Sequence, residues 1–183
     1  MNGAMGSGCV AHGPEELSAA LRDFYPRFAA NYFEVVAAWY RALAVGVTGG
    51  EVYAAAEGTR DPALYTFAVN PGHLLHLDEW VHAPFAAGNP TPLRSGMAVQ
   101  LDIIPVSAGP FCYSNAEDGV ILAAAPLRAE LARRDPAMMA RVDARRAFMA
   151  SLGIPLDPSV LPLSNIPAWL PPYALAPGRV FTA

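Results

Sequence analysis

The chain has 183 residues, 54% of them apolar and 15% charged, with a formal net charge of −4. That is enough apolar sequence for one substantial core, and the acidic balance gives no electrostatic footprint for nucleic acid. No apolar run approaches the roughly 20 residues of a spanning helix, so no membrane partner is expected.

All twelve basic residues are Arg, a composition bias without functional content. Cys9 and Cys112 are the only cysteines, too few for a disulfide framework, and a reducing cytoplasm is the expected setting. Met1–Gly8 lacks the charged start and apolar centre of a signal peptide. Residues 1–13 read as a flexible N-terminus. Pro14, followed by Glu15 and Glu16, opens a short helix to about Phe24. Pro26 restarts a longer one, in which Phe28, Tyr32, Val35, Val36, Trp39 and Leu43 recur at helical spacing and turn one stripe toward a core. Gly46 stops it. Thr48-Gly-Gly-Glu51 has capping-box spacing and starts a helix to about Glu57.

Leu64–Val69 is rich in β-formers and predicts a strand closed by the turn Asn70-Pro71-Gly72. After the loop 88–92, Met97–Val106 and Gly119–Ala124 read as a hairpin-like strand pair. Pro126 opens a helical tract that Asp135-Pro136 interrupts; Arg141, Arg145 and Arg146 cluster on its second piece, and Gly153 ends it. Seven prolines within residues 155–177 forbid an ordinary helix there. The same tail carries Leu161, Leu163, Ile166, Trp169, Leu170 and Tyr173, so it is expected to pack on the domain or on a partner subunit.

Six polar positions along the middle of the chain carry candidate chemistry. His73 follows the Pro-Gly turn at a strand end, where side chains project into clefts. His76 is either its supporting partner or simply packed. His82, after Glu79-Trp80-Val81, is placed to line a pocket and donate a hydrogen bond to a substrate carbonyl or developing oxyanion. Asp102 sits between Leu101 and Ile103-Ile104, where an unpaired carboxylate is costly; alternation puts it on the face of Gln100 and Ile104. The alternative for Asp102 is a polar strand face in water, and for Glu117-Asp118 a turn pair before a strand. One imidazole and two carboxylates, His73, Asp102 and Glu117, form a hard-to-borderline donor set suited to a divalent ion.

Taken in order, these segments resemble the pita-bread metallopeptidase superfamily of methionine aminopeptidase, Xaa-Pro aminopeptidase, prolidase and the metal-free creatinase. Gly72-His73 matches its Gly-His signature and His82 its second His. Ser95-Gly-Met97 through Asp102-Ile-Ile-Pro105 matches the strand leading to an acidic ligand before Pro, with Asp where the family usually has Glu. Glu117-Asp118-Gly-Val-Ile-Leu122 matches the final strand, although Asn115-Ala116 stands where a basic residue is usual. The match runs over roughly residues 28 to 124, the helix with Tyr32 and the Gly46–Glu51 stretch included.

The resemblance implies an α+β pita-bread fold, a curved antiparallel sheet covered by helices on one face. It implies His73, Asp102 and Glu117 as ligands of a divalent ion (Mn, Co, Zn or Fe), His82 as the catalytic group, and metal-dependent, Xaa-Pro aminopeptidase-like hydrolysis of a peptide by a homodimer. Two further family carboxylates precede the Tyr32 helix; here only Glu15, Glu16 and Asp23 do, in helical context. The fold is therefore expected to be incomplete in its N-terminal half, in a domain of residues 14–154 with a tail of 155–183. The chain is either part of a longer protein or descended from one that lost half its site. A non-catalytic binding or dimerisation module, and a creatinase-like small-molecule hydrolase or lyase, are the alternatives.

Overall fold

The computed structural model describes residues 10–19, 21–75, 81–107, 116–164 and 171–183. The expectations placed on Cys9, His76, Cys112, Asn115, Trp169 and Leu170 lie outside them. The fold is α+β.

Its centre is helix α1, Ala30–Ala42, preceded by a π-helical turn at Phe24–Ala29. Pro26 lies inside that turn rather than opening α1. Near the start of a helical segment its missing N–H removes no intrahelical bond. Tyr32, Phe33, Val35, Val36, Trp39 and Tyr40 are all buried, and each such large side chain contributes about 1.5–3 kcal/mol by leaving water. The helix expected over residues 14–24 shrinks to one 3-10 turn at Pro14–Glu16, because Gly13 supplies no side-chain cap and Leu17 turns extended. Glu16 bonds instead to the backbone N–H and ring of His12.

Helix α2, Gly49–Thr59, starts at the expected capping box: Thr48 Oγ1 accepts from the Glu51 N–H, and the Glu51 carboxylate accepts from the Thr48 N–H. Asn31 joins the two helices, donating to the Thr59 carbonyl and accepting from the Asp61 N–H, each at 3.0 Å.

The expected strand 64–69 reduces to β1, Thr66–Phe67; the turn at Asp61 binds the Leu64 N–H and withholds that residue from pairing. After β2, His73–Leu74, the expected strand 97–106 breaks at Ile104 into β3, Ala98–Ile103, and β4, Pro105–Val106. Strand β5, Ala116–Leu122, begins three residues before the expected Gly119. Glu117 and Asp118 are thus inside the strand, not in a turn before it. Helices α3, Ala125–Arg134, and α4, Pro136–Ser151, follow, with Asp135 capping α4 through the Met138 N–H. Strand β6, Val160–Pro162, comes last. The main sheet has the order β2-β3-β5-β6, all antiparallel, and β1 pairs with β4 separately.

Strand alternation divides the sheet. Val99, Leu101, Ile103, Val120 and Leu122 join the core around α1, whereas Ile121 and Leu161 pack with Leu127, Leu131, Met139 and Val142 of α3 and α4. Helices therefore cover both faces, and the expectation of a single covered face is corrected. The cause is the turn at Asp135, which folds α3 and α4 into a hairpin with an apolar side of its own.

The tail is fastened by arginines. Arg146 donates to the carbonyls of Leu156, Asp157 and Val160, and Arg128 to that of Pro158. Pro162 is tolerated because β6 is the edge strand. Leu161 and Tyr173 are buried, whereas Leu163 is exposed. Phe181 returns to pack on Phe33, with ring centroids 5.6 Å apart.

Candidate metal centre

The centre lies on the sheet face opposite α1, toward the end of the β3–β5 ladder and beside β2, which pairs with β3. Asp102 and Glu117 are direct cross-strand partners, and His73 pairs with Gln100, two residues before Asp102. Period-two alternation places Gln100, Asp102 and Glu117 on one face. One ligand atom from each of His73, Asp102 and Glu117 lies within 4.8 Å of the other two. His73 and Asp102 are 4% and 2% exposed, and Glu117 is half-buried.

Gly72 delivers the imidazole. Its φ of +136° is one that L side chains rarely adopt, and a Cβ there would stand 2.5 Å from the Gln100 carbonyl oxygen. The preceding turn is closed by the Gly72 N–H on the Asn70 carbonyl at 2.7 Å. His73 Nδ1 lies 3.0 Å from the Leu74 carbonyl oxygen. A carbonyl only accepts, so Nδ1 carries the proton and a neutral ring turns its Nε2 lone pair outward. Nε2 is 3.7 Å from Asp102 Oδ2. A cation shared between lone pair and carboxylate would make this approach favourable, and a histidine oriented through its other nitrogen is the usual arrangement around metals.

On the face turned toward α1, Asp118 does different work from its neighbour. It accepts from the Tyr40 hydroxyl at 2.8 Å. Burial pushes its carboxyl above the ordinary range, against the opposing pull of donors from Tyr40, Ser164 and the Gly119 N–H. The Tyr32 hydroxyl donates to the Ile103 carbonyl at 2.8 Å and accepts from the Ala116 N–H, tying α1 to both strands one rung beyond the acids. Desolvation raises both phenols well above their usual range. Sequence reading placed Tyr32 in an apolar stripe and missed both hydroxyls; two tyrosines eight apart on one buried helix face were the available signal.

A cavity of about 270 Å3 adjoins the centre, lined by Val69, Asn70, Gly72, His73, Ala83 and Asp102. His82 is exposed on the turn immediately before Ala83. Among the described residues no helix is long and apolar enough to cross a membrane.

Sheet, helices and centre together define an α+β protein with a His–Asp–Glu group able to hold a metal ion. No family model and no curated protein matches the chain. Similar solved structures include dipeptidase PepE from Mycobacterium ulcerans, at 28% identity and a TM-score of 0.44, covering 55% of this chain and 27% of that one. An Xaa-Pro dipeptidase from Bacillus anthracis matches at 21% identity and 0.44, covering 61% and 30%. A dipeptidase from Pyrococcus horikoshii matches at 22% identity and 0.39, covering 51% and 28%. The chain thus spans less than a third of each of these proteins.

Proposed function

We propose that this chain is a pita-bread-type metallohydrolase domain that holds one divalent ion through His73, Asp102 and Glu117. The observation that carries the reading is the convergence of these three side chains, from separate strands, beside a cavity. The donor set fits: one neutral imidazole and two carboxylates suit Mn, Co, Zn or Fe. An ion bound here would supply an activated water and a Lewis acid for a carbonyl. The chain's own residues do the rest. Asp102 and Glu117 offer the compensating negative charge, His73 is oriented through Nδ1, and His82, beside the cavity-lining Ala83, is assigned to donate to a substrate carbonyl.

On this reading the substrate is a short peptide of the Xaa-Pro type, and the working unit is a cytoplasmic homodimer. Two-metal hydrolysis uses both ions as a clamp, and three ligands serve one. The chain alone is therefore expected to bind Mn2+ yet turn over an Xaa-Pro dipeptide slowly or not at all. The same ligand count favours the second reading, a non-catalytic module on the same fold. Calorimetric titration of Mn2+ into the chain and into His73→Ala, Asp102→Asn and Glu117→Gln tests the centre. Equal binding by all four proteins, or by none, would refute it. Rapid, chelator-sensitive turnover would refute the single-ion account.

A further inference from the structure

We infer that Tyr32 and Tyr40 are positioning residues that hold Glu117 in place from the opposite side of the sheet, an inference that rests on the metal-centre reading. On β5 the two neighbours of Glu117 face α1, and each is bound by a tyrosine of that helix. The Tyr32 hydroxyl accepts from the Ala116 N–H and donates to the Ile103 carbonyl; the Tyr40 hydroxyl donates to Asp118 Oδ2. Both rings are fully buried. Eight residues carry the helix about 12 Å along its axis, and the two phenols close on the three-residue stretch 116–118 from either side.

Packing alone does not call for this arrangement. A buried hydroxyl or carboxylate costs free energy unless it is bonded, and apolar side chains would fill the same space. What the bonds add is a fixed backbone on both sides of Glu117. Tyr32 does more than Tyr40, because its hydroxyl bridges the rung Ile103–Ala116, next to the rung Asp102–Glu117. It sets the separation of the two carboxylates. Tyr40 fixes only the β5 side. Partners one step removed from a metal ligand commonly change affinity by 10–100-fold.

The experiment compares the chain with Tyr32→Phe, Tyr40→Phe and Tyr65→Phe, the last removing a buried hydroxyl from the same core without touching β5. The Kd for Mn2+ is measured calorimetrically at a temperature where every variant is folded, beside the Tm and amide hydrogen exchange of the metal-free proteins. Tyr32→Phe should weaken Mn2+ binding by about tenfold or more, Tyr40→Phe by less, and Tyr65→Phe not at all. Exchange should rise at 116–118 in the first two. A lowered Tm with unchanged Kd would make the tyrosines merely structural and overturn the inference, as would unchanged exchange at 116–118. Failure of the unaltered chain to bind Mn2+ would overturn the metal centre itself, and the exchange data would still judge the clamp.

Discussion

Replacing Gly72 with Ala perturbs the point where sheet, turn and centre meet. Two costs add. At φ +136° an L side chain is strained, worth about 1–3 kcal/mol. The new Cβ would also lie 2.5 Å from the Gln100 carbonyl oxygen and 2.9 Å from Cδ2 of Phe85, which is fully buried; overpacking of that kind costs about 1–3 kcal/mol. The backbone has little room to retreat, because the next residue is paired with Gln100. A total of about 4 kcal/mol, at about 2–4 °C per kcal/mol for a chain of this size, lowers the Tm by about 8–16 °C. Circular dichroism melting checks the figure. Relief of the clash by moving β2 would displace His73, so Mn2+ binding should weaken as well. A variant melting within about 2 °C of the parent would show that the turn adapts freely and that the glycine is not required.

Four further outcomes are expected. Tyr32, Tyr40 and Tyr65 have raised pKa values through burial; above pH ~10 the unfolded chain releases protons the folded one keeps, so stability present below that pH falls as pH rises. Equal urea midpoints at pH 8 and pH 11 would contradict this. Thr48→Ala should cost about 1 kcal/mol by removing the α2 cap. The Glu51 carboxylate is held below its usual range by the Thr48 donors, so its contribution is present above that range and lost on acidification; the melting difference between the parent and Glu51→Gln should close in acid. Arg146→Ala, which strips the guanidinium from three tail carbonyls, should cost about 2–3 kcal/mol and increase proteolysis near residues 156–160; an unchanged digestion pattern would show that the tail is held by other contacts.

Local chemistry was legible where it is written in adjacent residues. The box Thr48–Glu51, the Pro-Gly turn before His73 and the Asp135-Pro136 break all specify backbone geometry within a few positions, and the structure has each of them. Boundaries decided by distant partners were not. Leu64 reads as strand yet is bound by the Asp61 turn, and Glu117-Asp118, open to reading as a turn pair before a strand, lie on the ladder with β3. In the centre, the unusual apolar setting of Asp102 was visible in the sequence. The division of labour between Glu117 and Asp118 was not, because it depends on which face of β5 meets α1. Tyr32 and Tyr40 show the same limit: their rings announce a core, while the partners of their hydroxyls are more than seventy positions away.

The sheet order has a consequence for exchange kinetics. Two of the three donors sit on strands paired along most of their length, whereas the imidazole rides on β2, two residues long and hydrogen-bonded to β3 alone among the described strands. Short edge segments open at lower free energy than central ladders. An arriving ion would meet two carboxylates already in register and would be captured by them first, with His73 closing afterwards. Departure would run in reverse, with the lifetime of the complex governed by how often the edge lifts. Substitutions in the turn Asn70-Pro71, which leave all three donors intact, should then quicken release into a chelator in stopped-flow while leaving the capture rate unchanged.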